Sequence, residues 1–135
     1  MSWLVKTDFK YSIDLTTLDA LTGADDTIWQ EISDEAVTEM KSFLNSRYDV
    51  TTIFTTIGIA RDRSLLMYCK DITLYHLYSI YSFRSIPKIR VDRYNHALQW
   101  LQDVQAQKIN PDGFPLNTST FVKYGGNDKR MNQQQ

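Results

Sequence analysis

The stretch from about Asp62 to Phe83 constrains this chain most, because as a helix it is apolar on two opposite sides. At about 100° per residue, one face carries Leu65, Cys69, Ile72, His76, Ile80 and Phe83. The opposite face carries Met67, Leu74, Tyr78 and Tyr81. Such a helix is either central in its own bundle or buried a second time against a partner. Because a chain of 135 residues has few helices to cover both sides, we expect the second face to be an interface between chains.

Two further long helices are predicted, one on each side of this stretch. The first begins at Ser33 or Asp34 and ends near Tyr48, with apolar residues at helical spacing between them. The third covers about Pro87–Gln107, because proline suits the first turn of a helix and not its interior. Trp100 lies off the apolar stripe of this third helix. We therefore expect it to contact a partner, although covering a loop is the alternative.

The remaining segments predict short elements around these helices. Residues 12–31 read as short helical turns with a stop at Gly23. Residues 49–60 read as an extended loop rich in Thr and Ile, with a short strand or hairpin within it as the alternative. The predicted fold class is all-α: a small bundle of three long helices with short N-terminal helices, this extended loop and an extended C-terminal tail. We expect a helical domain over 1–116 and a flexible tail over 117–135.

The tail is polar and carries few apolar residues. It cannot bury enough surface to order itself, so we expect it to dock in extended form on another subunit. Phe121, Val122 and Tyr124 are the predicted anchors, and Lys129 and Arg130 are predicted to meet acidic partners.

The charge of the chain is balanced overall but unevenly placed. The net charge is −1, which argues against a protein that wraps nucleic acid. Residues 1–60 carry four Lys/Arg and ten Asp/Glu, a net −6, whereas residues 61–135 carry eleven and six, a net +5. Such a split allows an acidic face of one copy to meet a basic face of the next, with composition drift over a solvated surface as the alternative.

No residue pattern for catalysis, a cofactor or a metal is found. Cys69 and His76 share a helix face, but seven residues of helix separate them by about 10 Å, which is too far for one zinc ion. Cys69 is predicted to be a buried, inert thiol, His76 a hydrogen-bonded core histidine and His96 exposed. No segment reaches the length of a membrane span. We expect a protein that is not an enzyme and does not bind a membrane.

Three motifs follow one another along the predicted helices. Leu44–Tyr48 reads L-x-x-R-Y, Asp71–Tyr78 reads D-I-x-x-Y-x-L-Y, and Arg93–Leu101 reads R-Y-x-x-A-L-x-W-L. In this order and spacing they resemble the head-completion proteins of tailed bacteriophages, also called head–tail connectors or adaptors, of the Mu-like prophage type. The resemblance covers about Thr7 to Leu116.

The resemblance implies a structural virion protein. Proteins of that family are small helical subunits that form a ring, with twelve copies expected, beneath the portal. The implied partners are further copies of the chain, the portal protein and tail or neck proteins, with non-specific contact to the packaged DNA. The implied location is the head–tail junction of a virion that is made in the host cytoplasm, and the implied role includes sealing the DNA channel.

The alternative is a small helical DNA-binding or regulatory module. Arg84, Lys88, Arg90 and Arg93 form a basic patch near the start of the third helix. A helix-turn-helix needs a pair of short helices, and the long second helix does not fit that geometry.

Overall fold

The computed structural model describes residues 2–117, which contain five α-helices and no β-strand. The helices are α1 (Leu15–Thr22), α2 (Asp26–Leu44), α3 (Val50–Thr55), α4 (Arg63–Tyr81) and α5 (Lys88–Gln105). Three short 3₁₀ turns are Lys6–Tyr11, Gly58–Ala60 and Phe83–Ser85. The long helices α2, α4 and α5 pack on one another, and α1 packs on α2 and α4. The predicted all-α bundle with three long helices and short N-terminal helices is confirmed.

Aspartate side chains fix where the first four α-helices begin. In each case the carboxylate accepts a hydrogen bond from a backbone N–H of the first turn: Asp14 from Thr16 (2.9 Å), Asp25 from Thr27 (3.0 Å), Asp49 from Thr52 (3.2 Å) and Asp62 from Leu65 (2.9 Å). Gly23 ends α1 in the left-handed conformation with φ of 64°, as the predicted stop requires.

The start of α2 differs from the prediction at Ser33 or Asp34. The helix begins at Asp26, three residues after the C-terminal cap of α1 at Gly23, and it includes Trp29. This indole is only 2% exposed and packs edge-on against the Phe9 ring at 5.3 Å. The Asp25 cap and the burial of Trp29 therefore extend the helix by about two turns at its N-terminal end.

The prediction of an extended loop over residues 49–60 was wrong for its first half. Val50–Thr55 is the helix α3, and Ile53 and Phe54 bury their side chains in the core. The hydroxyl of Thr55 donates to the carbonyl of Thr51 at 2.7 Å, so it bonds within the helix. The Asp49 cap and the burial of two apolar residues outweigh the low helix propensity of β-branched residues.

The two-face interpretation of α4 is also corrected. Leu74, which we predicted to face a partner, is fully buried within the chain, as is Ile72 on the predicted inner face. The cause is that α1, α2 and α5 all contact α4, so its middle is covered on every side. The exposed apolar residues lie towards its ends instead, with Met67 40% and Tyr81 48% exposed. Ile80 and Phe83, which we assigned to the inner face, are 50% and 65% exposed.

The C-terminal part of the described chain folds back on the connection between α2 and α3. Tyr48 and Leu116 form an isolated antiparallel bridge, and the Asn117 N–H donates to the Arg47 carbonyl at 2.8 Å. The Tyr48 ring packs edge-on against Phe114 at 5.3 Å. The turn at residues 112–113 thereby directs the chain back across the bundle.

Candidate interaction surface

A groove of about 380 Å³ runs between α4 and α5. Two helices that pack at their inner faces leave such a groove between their outer faces. It is lined by Met67, Tyr68 and Asp71 from α4 and by Ile89, Asp92, Arg93 and His96 from α5. Met67 and Ile89 are 40% and 52% exposed, so each presents apolar surface there. The groove combines apolar walls with one buried carboxylate.

That carboxylate, Asp71, has one ion-pair partner and no hydrogen bond in the described part of the chain. Its side chain is only 6% exposed, and its nearest cation is the Arg93 guanidinium, with Nη1 4.0 Å from Oδ1. Among residues 2–117 no hydrogen bond to its carboxylate is formed. Burial raises the pKa of Asp71 above its usual range, and the positive charges of Arg93 and Arg90 offset only part of this effect. The carboxylate can therefore still accept hydrogen bonds from water or from a ligand in the groove.

A second exposed apolar feature is the turn at Ile57–Ile59. The two isoleucines are 80% and 101% exposed, and Gly58 between them has φ of 68°. Arg61 holds this turn, since its Nε donates to the Gly58 carbonyl at 2.8 Å. The two isoleucines are therefore displayed on an anchored turn.

Arg61 in turn is fixed by a buried ion pair. Its guanidinium donates to both carboxylate oxygens of Asp8, at 2.8 and 3.0 Å, and to the Trp3 carbonyl at 2.8 Å. Burial of Asp8 acts to raise its pKa, but the hydrogen bonds from Arg61 and the Val5 N–H outweigh this effect, and the pKa lies below its usual range. This cluster joins the N-terminal segment to the turn before α4.

The predicted interface residues are only partly brought together. Met67 lines the groove, Tyr81 is exposed at the far end of α4, Tyr78 is half-buried against the core, and Leu74 is buried. Trp100 is half-buried and packs on Tyr68 at 4.7 Å and on Phe114 at 6.4 Å. It therefore covers a loop, which is the alternative that the sequence left open. Phe121, Val122, Tyr124, Lys129 and Arg130 lie outside the described residues.

The predicted basic patch is largely engaged within the chain. Lys88 pairs with Asp92 at 2.7 Å, Arg90 donates to the Ser12 carbonyl at 2.6 Å, and Arg93 lies near Asp71. Arg84 lies over the Phe83 ring, 5.5 Å from its centroid. Each cation thus has a neighbour within the chain, although Arg84, Lys88 and Arg93 remain exposed.

Cys69 and His96 occupy the kinds of position that we predicted, whereas His76 is hydrogen-bonded as predicted but lies outside the core. Cys69 is buried, and desolvation raises the pKa of its thiol to about 12. His76 is half-buried and shares a hydrogen bond of 3.2 Å with Glu39, whereas His96 is exposed. Within residues 2–117 no group of three His, Cys, Asp or Glu side chains is placed to hold a metal ion.

Sequence reasoning missed the features that shape this surface. Asp71 was noticed only as part of a motif, although a carboxylate between Cys69 and Ile72 in an apolar helix is a signal for a special role. Ile57 and Ile59 were assigned to a loop without regard to exposure, and Ile89 was not considered. Whether each of these residues is buried or exposed depends on how separate helices and turns pack, which the local sequence does not show.

Comparison with known proteins places the chain in a wider context. The family model described as "Bacteriophage Mu, Gp36" matches residues 5–113, which include all five α-helices. The comparisons with curated proteins and with solved structures find no match. In the part of the chain that the structure describes, none of the helices is both long enough and apolar enough to cross a membrane.

Proposed function

The chain belongs to the Bacteriophage Mu Gp36 family and is thus a phage structural or morphogenetic protein; on this premise we propose that it forms the ring beneath the portal. The ring joins the capsid vertex to the tail or neck and helps to seal the DNA channel. Its partners are further copies of the chain, the portal protein and tail or neck proteins, with non-specific contact to the packaged DNA. Twelve copies are expected.

The observation that carries this proposal is the family match over residues 5–113. Two surface features support a role in assembly. The groove between α4 and α5 and the Ile57–Ile59 turn present apolar side chains on different parts of one chain. Exposed apolar surface of this kind is typical of sites where proteins associate. Two unlike surfaces on one subunit suit the head-to-tail contacts from which closed rings are built.

The alternative, a DNA-binding or regulatory module, gains no support from the surface. Lys88 and Arg90 form bonds within the chain, Arg93 lies 4.0 Å from Asp71, and the groove beside them also contains the carboxylate of Asp92. A site for the phosphate backbone needs a clustered set of available cations. The proposed role is mechanical and requires neither a cofactor nor catalysis.

Removal of the protein from a phage that encodes it tests the proposal. We expect lysates without the protein to contain DNA-packed heads that lack tails and lose DNA, because the junction is unsealed. Supplying the wild-type chain from a plasmid is the control and should restore tailed particles. Mass spectrometry of purified virions should detect the chain, and electron microscopy should place it as a ring between portal and tail. Infectious, tailed particles made without the protein would contradict the proposal.

A further inference from the structure

The groove between α4 and α5 has the chemistry of a binding site for a cation with apolar neighbours. The Asp71 carboxylate is 94% buried in its wall and receives no hydrogen bond among residues 2–117. Its oxygens can therefore accept hydrogen bonds that the fold itself does not supply. Met67 and Ile89 flank the carboxylate with exposed apolar surface. A ligand that fits both features brings an ammonium or guanidinium group between apolar side chains.

The chain itself carries such a segment outside the described residues. Phe121-Val122-Lys123-Tyr124 holds one lysine between an apolar and an aromatic residue, with a second aromatic residue two positions earlier. We propose that the groove binds residues 121–124 of a second copy of this chain, with Lys123 donating to Asp71. This inference rests on the ring assembly proposed above and names the contact that joins neighbouring copies.

The spacing of side chains supports one register of binding. In an extended segment, alternate residues point to the same side about 6.5–7 Å apart, so Phe121 and Lys123 share a side. Met67 and Asp71 are one helical turn apart on α4, which separates their Cβ atoms by about 6 Å. Phe121 therefore meets Met67 when Lys123 meets Asp71. A contact between a thioether and an aromatic ring is itself favourable.

Exposed apolar side chains at the far end of α4 favour a second copy, and not the same chain, as the source of this segment. Tyr81 lies about four turns from Met67 on the same stripe of α4, and Tyr81, Ile80 and Phe83 are all about half exposed or more. A four-residue segment is too short to cover these side chains together with the groove. A neighbouring copy brings its folded body as well as its segment. Because each copy has one groove and one segment, the segment of one copy can enter the groove of the next, and such head-to-tail contacts form a ring when the rotation between copies closes.

Photo-cross-linking of the full chain tests this contact. The variant Phe121→p-benzoylphenylalanine is prepared in ¹⁴N and ¹⁵N forms, mixed, concentrated and irradiated, and cross-linked peptides are identified by mass spectrometry. We expect cross-links between heavy and light chains at the peptides that contain Met67 or Ile89. Adding Lys123→Glu should lower their yield by about tenfold or more, since it removes the cation and repels Asp71. Asp71→Asn should also lower the yield.

Three further measurements keep the result interpretable. Lys108→Glu is the control, because it reverses an exposed lysine outside both the groove and the proposed segment, and it should leave the yield within about twofold. The double variant Asp71→Lys with Lys123→Glu should restore cross-linking, and circular dichroism should show that each variant is folded. Cross-links only within one chain, only outside the groove, or insensitive to Lys123→Glu would overturn the inference. Native mass spectrometry that still shows a ring in those cases would leave the proposed function standing.

Discussion

Two aspartates on the same protein illustrate how environment decides what a single residue does. Asp8 is partly buried but accepts two hydrogen bonds from Arg61, so its charged form is favoured and its pKa is lowered. Asp71 is buried with no hydrogen bond among the described residues, so its charged form is disfavoured and its pKa is raised. The first aspartate stabilises the fold, and the second costs stability in a groove that is open to a partner.

Breaking the Asp8–Arg61 pair should destabilise the chain strongly. Asp8→Asn removes one partner of a buried, doubly hydrogen-bonded ion pair, and we expect the free energy of unfolding to fall by about 3 kcal/mol. Urea unfolding at neutral pH measures this change. Lys88→Met is the control, because it breaks the exposed Lys88–Asp92 pair and should cost less than about 0.5 kcal/mol. Equal losses of unfolding free energy in the two variants would contradict a special stabilising role for the Asp8–Arg61 pair.

The same pair predicts the response to acid. Because the pKa of Asp8 is lower in the folded than in the unfolded chain, its contribution is present above the unfolded value of about 3.9 and is lost as pH falls through the lower folded value. The wild-type chain should therefore lose stability below about pH 4 more steeply than Asp8→Asn. Chemical unfolding at a series of pH values gives both slopes, and parallel curves would argue against the prediction.

Asp71 should behave in the opposite way. Its pKa is higher in the folded chain, so the folded state binds the proton more tightly and stability falls as pH rises above the unfolded value of about 3.9. We expect Asp71→Asn to raise the urea midpoint of the free protein at pH 7 while it weakens association. A decrease of the midpoint would show that the carboxylate stabilises the isolated fold.

At the scale of elements, α4 organises the bundle because its middle is enclosed and its ends are not. Leu65, Ile72, Leu74 and Leu77 are fully buried, whereas Met67 and Tyr81 are exposed. The helices α2 and α5 cover it from two sides, and the Tyr75 ring of α4 stacks on Tyr94 of α5 at 4.1 Å. A substitution on this helix acts on folding or on association according to its position along the helix.

Two substitutions on α4 separate these effects. Leu74→Asp places an unpaired charge in the core and should unfold the chain, at a cost above about 4 kcal/mol. Tyr81→Asp changes an exposed side chain and should leave the thermal unfolding midpoint nearly unchanged. Circular dichroism measures both, and size-exclusion chromatography should show weaker self-association for Tyr81→Asp. Similar unfolding of the two variants would refute this division of the helix.

The early start of α2 depends on its cap. Asp25→Ala removes the acceptor for the Thr27 N–H and should cost about 1 kcal/mol in unfolding free energy. Asp34→Ala removes an exposed carboxylate from the interior of the same helix, caps nothing, and should stay within about 0.5 kcal/mol. Urea unfolding of the two variants side by side decides whether the cap determines the helix start.

For the whole molecule, the charge difference between the two parts of the sequence is a hypothesis about association. Residues 1–60 carry a net −6 and residues 61–135 a net +5. Several of these charges pair within the fold, as Asp8 does with Arg61, and we propose that the remainder act on neighbouring copies. Complementary charge accelerates association more than it strengthens the final complex.

Salt should therefore slow assembly. The Debye length falls from about 30 Å at 0.01 M to about 10 Å at 0.1 M ionic strength, so attraction between copies weakens over this range. We expect the association rate, followed by light scattering, to fall as the ionic strength rises over this range. Arg84→Glu, which reverses an exposed cation, should slow association at low salt only. A rate that is independent of salt would mean that the uneven charge is composition drift.

The sequence by itself determined the helical class and the approximate positions of the three long helices, because apolar spacing and breakers such as Gly23 and Pro87 act locally. Asp25 and Asp49 were readable as caps, yet they were overlooked beside the β-branched run that follows Asp49. Tertiary structure alone decided that Val50–Thr55 is helical, because its stability comes from burying Ile53 and Phe54.

Only the tertiary structure decided which residues of α4 are exposed. Periodicity places Leu74 opposite Ile72, but it does not say how many neighbours a helix has, and here α1, α2 and α5 enclose both residues. The buried carboxylate of Asp71 and the groove around it likewise depend on the approach of α5, which brings Ile89 and Arg93 to residues about twenty positions earlier. Exposure is a property of packed elements, so a pattern along one helix cannot supply it.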